Sequence, residues 1–409
     1  MSDPKPQPQP PRRILTAPNP NPNPKSKIPP PSSDQNTQAR PHAITLDLLL
    51  TVLSRTLFHP FIAWILVLCL RAQATPYTAP AFLVATGYAI FLSALNVLQS
   101  VNDRFAYGEP RRVDLSEEVV VVTGGASGLG LLIARIYGLR GVSVAVLDVK
   151  GAEEMEGMME GMDDAVGYYR CDVGNRGALE ETVRRVEMEL GTPTVLVHCA
   201  AARINGQSLR DVPAEAFQKT IRTNLLAAFH AYQVFLPRML SAATGGTIVT
   251  VSSVLGQLCA AGLADYSASK AGLSAVHRTL EAELRASGDD DKVKMILVEP
   301  GQISTPLFQS VQTPNRFFAP VLEPVHVAQE IVSAIDSGRG AVIRLPTFAM
   351  LVNWYAVMPA GLQRLARYMS GIDSAVAQAS LSQKNPPATS APLTEQPQQQ
   401  CEPLSVDKD

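Results

Sequence analysis

Cysteine is scarce in this chain of 409 residues, and its cysteines are not arranged in pairs. No CxxC motif occurs and no histidine lies at ligand spacing, so the sequence favours neither a disulfide framework nor a metal site. Asn-x-Ser/Thr sequons are also absent, which is typical of a domain outside the secretory lumen. We expect reduced, intracellular thiols at all five positions, which are Cys69, Cys171, Cys199, Cys259 and Cys401.

A strong charge of either sign is missing as well. The net charge is -2, and no Lys/Arg block combines with spaced aromatic residues, so nucleic acid is not an expected partner.

Residues 72–102 contain no charged side chain at all. Within them, residues 79–101 are mostly apolar and long enough to cross a hydrocarbon core of about 30 Å. A cleaved signal peptide is disfavoured because the apolar region starts too far from the N-terminus and is doubled.

A second apolar segment, which is shorter than residues 79–101, precedes them in the chain. Residues 57–70 are apolar but carry Pro60, and the amphipathic residues 44–56 precede them. Residues 44–102 are therefore predicted to form a membrane-anchoring helical hairpin. Arginines before and after the hairpin outnumber the single Arg71 in its loop, which favours the cytosol for both ends of the hairpin and for the domain that follows it. The alternatives are core helices of a soluble protein, or a single span with the first segment lying in the interface.

Proline dominates the start of the chain, with thirteen prolines in the first 41 residues. Residues 1–43 and 376–409 are predicted to be disordered because they are poor in apolar side chains. A proline-rich ligand for a recognition domain is the alternative for the N-terminal arm. Residues 346–375 are apolar and then amphipathic, with Arg364 and Arg367 on the polar face. They are predicted to lie on the bilayer, to pack on the neighbouring domain or to form a dimer surface.

Strand and helix patterns alternate through residues 113–345, which predicts an α/β domain with a doubly wound parallel sheet of the Rossmann type. Its first strand runs into the glycine-rich sequence TGGASGLG and then a helix. Gly124, Gly128 and Gly130 permit a sharp turn, and the helix N-terminus can bind a pyrophosphate. Such a glycine cluster on its own often marks only a turn.

An acidic residue follows at the spacing that a dinucleotide site requires. Asp148 ends the second apolar run, twenty residues beyond Gly128, where its carboxylate can accept hydrogen bonds from ribose hydroxyls. The same charge would repel the extra phosphate of NADP. NAD is therefore the expected cofactor, and Lys150 nearby leaves NADP as the alternative.

Proton-transfer chemistry is indicated by Ser253, Tyr266 and Lys270. Tyr266 and Lys270 are four residues apart, so on a helix they share one face. An ammonium group close to a phenol favours the phenolate, so we expect the pKa of Tyr266 to be lowered. Ser253 follows a predicted strand, where its hydroxyl can hold a substrate oxygen.

Together these motifs resemble the short-chain dehydrogenase/reductase family over residues 116–345. The resemblance implies that Asn224, Ser253, Tyr266 and Lys270 are catalytic, with Asn224 anchoring a water in a proton relay that runs through Lys270 and the cofactor ribose to Tyr266. It also implies a homodimer formed through the helices that carry Asn224 and Tyr266. The cofactor positions that it implies, besides Tyr266 and Lys270, are Gly124, Ser127, Gly128, Leu129, Gly130, Asp148, Asp172, Val173, Ala200, Pro300, Gly301 and Thr305.

One segment departs from the family pattern. Residues 198–201 read HCAA where the family usually shows NNAG, and Ala201 adds a methyl group near the cofactor. His198 is interpreted as a core histidine. This departure supports a rival hypothesis, in which the chain is a non-catalytic membrane or lipid-droplet protein that uses the fold to bind a cofactor or partner.

The apolar N-terminal segments further resemble the membrane-anchored branch of the family. That branch includes retinol dehydrogenases and 17-beta-hydroxysteroid dehydrogenases of the endoplasmic reticulum and lipid droplets. The loop after the predicted sixth strand is oily, with Leu307, Phe308, Phe317 and Phe318. The resemblance therefore implies a lipophilic alcohol or carbonyl compound as the substrate.

Overall fold

Seven parallel strands form the centre of the protein in the computed structural model, which describes residues 45–151, 165–308, 311, 313 and 315–376. Neighbouring strands lie in the order β3-β2-β1-β4-β5-β6-β7, and every pair is parallel. The predicted doubly wound α/β fold is confirmed. The strands are β1 Val119–Thr123, β2 Ser143–Asp148, β3 Val166–Arg170, β4 Val195–His198, β5 Gly246–Val251, β6 Val293–Pro300 and β7 Ala341–Leu345.

The direction in which strands are added reverses between β1 and β4. Ligands of such sheets bind outside the carboxyl ends of the strands at this switch point. The predicted cofactor residues outside α9, together with Ser253, lie at or just after the carboxyl ends of β1 to β6, so the topology brings them to one edge of the sheet.

Helices cover both faces of the sheet because both faces are apolar. In β1, Val121 points into the core on one face, whereas Val120 and Val122 point into the core on the other. The helices that follow β1 are α4 Gly128–Leu139, α5 Arg176–Glu189, α6 Ala214–Ile221, α7 Ala227–Ser241, α8 Leu255–Leu258, α9 Ala264–Ser287, α10 Pro324–Asp336, α11 Phe348–Val357 and α12 Ala360–Ser370.

Three apolar helices precede the sheet: α1 Leu46–Arg55, α2 Pro60–Ala72 and α3 Pro80–Tyr107. Helix α3 is long and apolar enough to cross a membrane, and α1 with α2 passes the same test as a pair bent by 50°. Helices α2 and α3 pack together through a small buried cluster, and Trp64 Nε1 donates a hydrogen bond to Ser93 Oγ at 2.9 Å. The buried side chains of this cluster are Ala63, Val67, Ala85, Ala89 and Leu92.

The predicted domain boundaries stay predictions. The N-terminal arm of residues 1–43 lies outside the described residues, as does the predicted C-terminal tail beyond residue 376.

A buried ion pair fastens the segment after α3 to the amino ends of the strands. Arg111 donates to both carboxylate oxygens of Glu118, at 2.7 and 3.0 Å, and both side chains are almost fully buried. Arg111 Nε also donates to Thr247 Oγ1 at 2.9 Å, and the Thr194 hydroxyl donates to Glu118. These bonds connect the segment after α3 to β1, β4 and β5 on the side opposite to the predicted site.

We expect Arg111→Met to lower the free energy of unfolding by about 3–5 kcal/mol, because it leaves the Glu118 carboxylate buried without its partner. Urea unfolding followed by circular dichroism in detergent measures this loss. Adding Glu118→Leu should recover a large part of it. The exposed pair of Arg104 and Glu109 supplies the control, since Arg104→Met should cost less than about 1 kcal/mol. Equal losses in the two arginine variants would contradict this role of the buried pair.

Candidate active site

The loop between β1 and α4 is held so tightly that only glycine fits at two of its positions. Gly124 has φ +67°, and a Cβ there would lie 2.7 Å from the Ala200 Cα atom after β4. A Cβ on Gly130 would lie 2.6 Å from the Gly124 carbonyl oxygen. The start of α4 therefore packs directly against its own loop and against β4, as the close approach of backbone to a pyrophosphate requires.

The beginning of α4 suits an anion. Ser127 precedes the helix in an extended conformation, and its side chain makes no capping hydrogen bond. The first backbone N–H groups of the helix, which begins at Gly128 with Leu129 buried behind it, can thus bind a phosphate. Gly128 has φ +56°, and a Cβ there would lie 3.5 Å from the Thr305 side chain. These residues fit the dinucleotide that the sequence predicts.

Asp148 lies beside this loop at the end of β2. Its Oδ2 accepts a hydrogen bond from Ala126 N at 3.0 Å, and its Oδ1 accepts one from Lys150 N at 3.3 Å. The carboxylate therefore holds the backbone of the glycine loop in place. Its remaining lone pairs can accept hydrogen bonds from the hydroxyl groups of a ribose. The sequence predicted that Asp148 binds the ribose, but it did not indicate that Asp148 also holds the glycine loop.

The other predicted cofactor positions lie along the same edge of the sheet. Asp172 forms an ion pair with Arg222 at 3.1 Å, next to the buried Val173. Ala200 is buried and its N–H lies 3.4 Å from Thr123 Oγ1.

The segment after β6 closes over the glycine loop. Gly301 N donates to Leu345 O at 2.7 Å, and Ile303 pairs with Leu322 in a short parallel bridge. This pairing carries the chain from Pro300 to Thr305, whose side chain lies over Gly128. The segment implied to contact the nicotinamide thus adjoins the segment implied to bind phosphate.

Tyr266 and Lys270 occupy successive turns of α9, as predicted. Lys270 Nζ lies 5.7 Å from the centroid of the Tyr266 ring and donates a hydrogen bond to Val251 O at 2.7 Å. Ser253 follows β5, and its hydroxyl lies within reach of the Tyr266 phenol and donates a hydrogen bond to Pro300 O at 3.3 Å. The structure therefore brings the serine, the tyrosine and the lysine together beneath the strand ends.

The electrostatics of this cluster differ from the expectation. Burial raises the pKa of the Tyr266 phenol, even though the hydrogen bond with Ser253 lowers it. Burial also lowers the pKa of the Lys270 ammonium to about 8. The predicted lowering of the Tyr266 pKa is not found in the structure. The loss of hydration on burial destabilises the phenolate by more than the hydrogen bond with Ser253 stabilises it.

Asn224 lies at the centre of a π-helical turn, Arg222–Leu226, between α6 and α7. Its side chain is fully buried: Oδ1 accepts from Ala202 N at 2.7 Å, and Nδ2 donates to Ser269 Oγ at 2.9 Å. The amide thus joins the chain after β4 to the residue that precedes Lys270. Single-turn π-bulges recur at functional sites.

Sequence reasoning missed Asp265, which directly precedes the tyrosine. This buried carboxylate accepts hydrogen bonds from Tyr266 N at 2.8 Å, Asn205 Nδ2 at 2.6 Å and the Thr220 hydroxyl at 2.9 Å. It therefore fixes the first turn of α9 against the loop after β4 and against α6. An acidic residue in the first turn of a helix was the available signal.

His198 is a buried core residue, as interpreted from the sequence. Its Nδ1 lies 2.9 Å from the Thr123 hydroxyl at the end of β1. Burial, together with the charge of Lys270, lowers the pKa of the imidazole to about 3. A neutral ring therefore joins β1 to β4 at this position.

An apolar cavity of about 310 Å³ adjoins the cluster. Phe308 lines it and packs edge-on against Tyr266, with ring centroids 6.1 Å apart. Val254 and Leu255, which follow Ser253, line the cavity as well. Ser253 and Tyr266 are not among the lining residues, so the cavity lies next to the cluster, with Val254 and Phe308 at the boundary.

The C-terminal extension completes this cavity. Ala349 and Val352 on α11 are buried against Val254, and Arg367 on α12 donates to the carbonyl oxygens of Leu258 and Cys259, at 2.6 and 2.8 Å. Of the three predicted placements for residues 346–375, packing on the neighbouring domain is thus found for one face of the extension. These helices come after the family motifs, which is why the motifs did not indicate their part in the cavity.

We expect Lys270→Met to raise the free energy of unfolding by on the order of 1–3 kcal/mol at neutral pH, because it removes a buried ammonium whose pKa is depressed. The gain should be full below pH 8 and shrink as the pH rises through about 8 towards 10.5, since the folded protein then no longer binds this proton. Unfolding in urea at several pH values, with the exposed Lys219→Met as control, measures it. A stability difference independent of pH would contradict a depressed pKa.

The comparisons agree with this geometry. A family model described as short chain dehydrogenase matches residues 118–316. The chain is 34% identical over 261 residues to short-chain dehydrogenase/reductase 3 of Homo sapiens, covering 62% of this chain and 84% of that protein. It is 31% identical over 274 residues to retinol dehydrogenase 10-B of Danio rerio, covering 61% and 81%. It is 32% identical over 255 residues to retinol dehydrogenase 10 of Homo sapiens, covering 55% and 74%.

A nucleotide-binding sheet edge, a buried Ser253–Tyr266–Lys270 cluster and these relatives lead to one conclusion: the chain belongs to the short-chain dehydrogenase/reductase family, on the branch of the retinol dehydrogenases, and is an NAD(P)-dependent short-chain alcohol dehydrogenase.

Proposed function

We propose that this protein is a membrane-anchored oxidoreductase that interconverts a lipophilic alcohol and its carbonyl compound, of the retinoid, steroid or long-chain lipid type. The apolar cavity beside Tyr266 carries this proposal. Most of its lining residues are aliphatic or aromatic, with Gln302, Thr313, Asn315, Arg367 and Ser370 as the polar ones, and such a wall favours a hydrocarbon substrate over a small polar one. The retinol dehydrogenases among the relatives support the same substrate class.

The residues act on the substrate oxygen. When bound, NAD(P) takes a hydride from the alcohol carbon, or gives one to the carbonyl carbon. Ser253 holds the oxygen by a hydrogen bond, and Tyr266 removes its proton during oxidation or supplies one during reduction. Asn224 positions the start of α9 through Ser269 and completes the proton relay with Lys270.

On the cofactor side, we propose that the pyrophosphate binds at the start of α4 and that the adenine half lies between Asp148 and Asp172. Gly124, Ser127, Gly128, Leu129 and Gly130 line the first position, and Val173 and Ala200 flank the second. Pro300, Gly301 and Thr305 contact the nicotinamide. Asp148 makes NAD the preferred cofactor, because its charge repels a ribose phosphate.

The same proposal includes anchoring in the endoplasmic reticulum or lipid droplets through α2 and α3, with the sheet in the cytosol. The length of α3 and the exposed apolar side chains of both helices support it. A homodimer formed through α7 and α9 belongs to the proposal too. Leu226 and Phe229 are both more than two-fifths exposed at the start of α7, which supports that face as an interface.

Tyr266→Phe should lower turnover of a lipophilic alcohol by about 100-fold or more, because general acid–base catalysis supplies that much. Binding of NADH should change little, since only the phenolic oxygen is removed. The test follows NADH formation by detergent-solubilised protein with retinol, steroids, sterols and long-chain alcohols. Tyr355→Phe is the matched control, because Tyr355 lines the cavity and has no proposed acid–base role.

Unchanged turnover in Tyr266→Phe would overturn the mechanism. NADH binding without turnover of any alcohol in the set would favour the rival hypothesis of a non-catalytic binding protein, which rests on the altered residues 198–201.

Asp148→Asn should improve kcat/KM with NADP relative to NAD by roughly 10-fold or more, because it removes the repelling charge. Asparagine keeps an oxygen that can accept the hydrogen bond from Ala126 N, so the glycine loop should hold its shape. Asp172→Asn removes a charge from the same edge of the sheet and should leave the ratio unchanged. An unaltered ratio in Asp148→Asn would show that another group selects the cofactor.

A further inference from the structure

The outer side of the C-terminal extension is apolar and unusually exposed. Helix α11 buries Ala349 and Val352 and no residue of α12 is buried, so several large apolar side chains of the two helices are each more than half exposed. These include Met350, Trp354, Val357, Leu362, Leu365 and Tyr368. A continuous apolar surface of this kind marks a docking site rather than an ordinary water-facing surface.

The cavity opens within this surface. Leu351, Met358 and Phe318 all line the cavity, and each is more than two-fifths exposed. A molecule that enters between these three side chains therefore passes from the exposed apolar surface into the apolar cavity. The exposed side of the extension and the rim of the cavity therefore form one feature, which we call the mouth surface: α11, α12, Phe317 and Phe318.

Helix α1 is bonded to the edge of the mouth surface. Leu46 N donates to Phe317 O at 3.0 Å, and Thr347 N donates to Asp47 Oδ1 at 2.7 Å, with the Thr347 hydroxyl donating to the same oxygen. Leu48, Leu49, Leu50 and Leu53 of α1 are exposed, and none of its residues is buried. Since α1 leads after four residues into α2, the mouth surface continues into the apolar helices of the anchor.

The far end of the anchor is held at the opposite edge of the sheet. The Tyr107 carbonyl, at the end of α3, accepts from Lys294 Nζ at 3.2 Å near the start of β6. Further back along α3, the Tyr88 hydroxyl donates to the carbonyl oxygen of Leu57, in the turn between α1 and α2, at 2.7 Å. The nineteen residues from Tyr88 to Tyr107 span roughly 28 Å at 1.5 Å each, about the depth of a small domain. The paired part of the hairpin therefore lies towards the carboxyl edge of the sheet, where α1 and the mouth surface are.

Charge on the mouth surface also favours a membrane. Residues 347–372 contain no acidic side chain, and their only charges are Arg364 and Arg367. Arg367 pairs with Asp373, and Arg364 is exposed on the polar side of α12. An interfacial helix with apolar residues on one side and arginine on the other places its cation among lipid phosphates.

We propose that the mouth surface is embedded in the leaflet that holds α2 and α3, so that the cavity opens directly into hydrocarbon. A lipophilic substrate then reaches Tyr266 by lateral diffusion in the bilayer; this last step rests on the proposed function, whereas the docking itself does not. The occupant is the bilayer and not a second copy of the chain, because the surface is continuous with the anchor.

The two tryptophans of the chain make the docking measurable. Trp64→Phe leaves Trp354, which is 67% exposed on α11, as the sole tryptophan. The full chain is reconstituted into phosphatidylcholine vesicles whose acyl chains carry bromine, a contact quencher. We expect Trp354 to lose about half of its emission or more, as for a side chain buried roughly 5–10 Å into the interface.

A matched control places tryptophan at the far edge of the sheet. Leu139, at the end of α4, is 69% exposed, so Leu139→Trp in the Trp64→Phe, Trp354→Phe background should be quenched little. Equal quenching of the two probes would overturn the proposal. Protection of Trp354 from bromine, together with cross-linking of two chains through α11, would overturn it in favour of a second copy.

A substrate test separates the docking from the proposed function. Leu362→Glu, on the exposed side of α12 and outside the lining of the cavity, should raise the KM for a long-chain alcohol presented in vesicles by about 10-fold, because it puts a charge on the surface that docks on the bilayer. The KM and kcat for a short, water-soluble alcohol should not change. Inactivity of the unaltered protein towards both alcohols, with Trp354 still quenched, would refute the proposed function and leave the docking standing.

Discussion

Exclusion of water at the carboxyl ends of the central strands is the constraint on which the rest of the structure depends. Lys270 and Tyr266 are both nearly fully buried there. Burial raises the pKa of the Tyr266 phenol and lowers the pKa of the Lys270 ammonium, so it favours the neutral form of each group. The protein keeps them in place with hydrogen bonds to the backbone, Lys270 through Val251 and the start of α9 through Asp265. Groups held this way cost stability and are preorganised for proton transfer.

Much of the surrounding structure serves to cover these groups. The loop after β6 brings Phe308 against Tyr266, and α11 packs Ala349 and Val352 against the residue after Ser253. The covering material is apolar, so the space it leaves is apolar too. The burial of Tyr266 and Lys270 and the apolar character of the cavity beside them therefore have one physical origin.

The N-terminal helices α1 to α3 are joined to the sheet domain at both edges of the sheet. The buried pair of Arg111 and Glu118 holds the chain after α3 at the amino edge, while Asp47 and Thr347 join α1 to the extension at the carboxyl edge. Two such attachments restrict how the sheet domain can be oriented relative to α2 and α3. A hairpin connected through one flexible linker would impose no orientation.

The sequence alone determined the features that depend on local pattern and backbone geometry. Alternating strand and helix patterns specified the doubly wound sheet, and the glycines of TGGASGLG marked a loop that Gly124 and Gly130 must occupy for steric reasons. The i to i+4 spacing of Tyr266 and Lys270 put them on one side of a helix. Asp148 at a strand end and the uncharged residues 72–102 were equally legible, because each signal lies within a short stretch of chain.

Only the tertiary structure decided what depends on residues distant in sequence. The raised pKa of Tyr266 follows from burial, which no spacing rule contains, so the prediction of a lowered pKa was wrong. The π-helical turn at Asn224, the fixing of α9 by Asp265 and the bond from Asp47 to Thr347 join segments up to 300 residues apart. The cavity itself is a space between α8, the loop after β6 and the C-terminal extension, and such a space exists only once separate segments have packed.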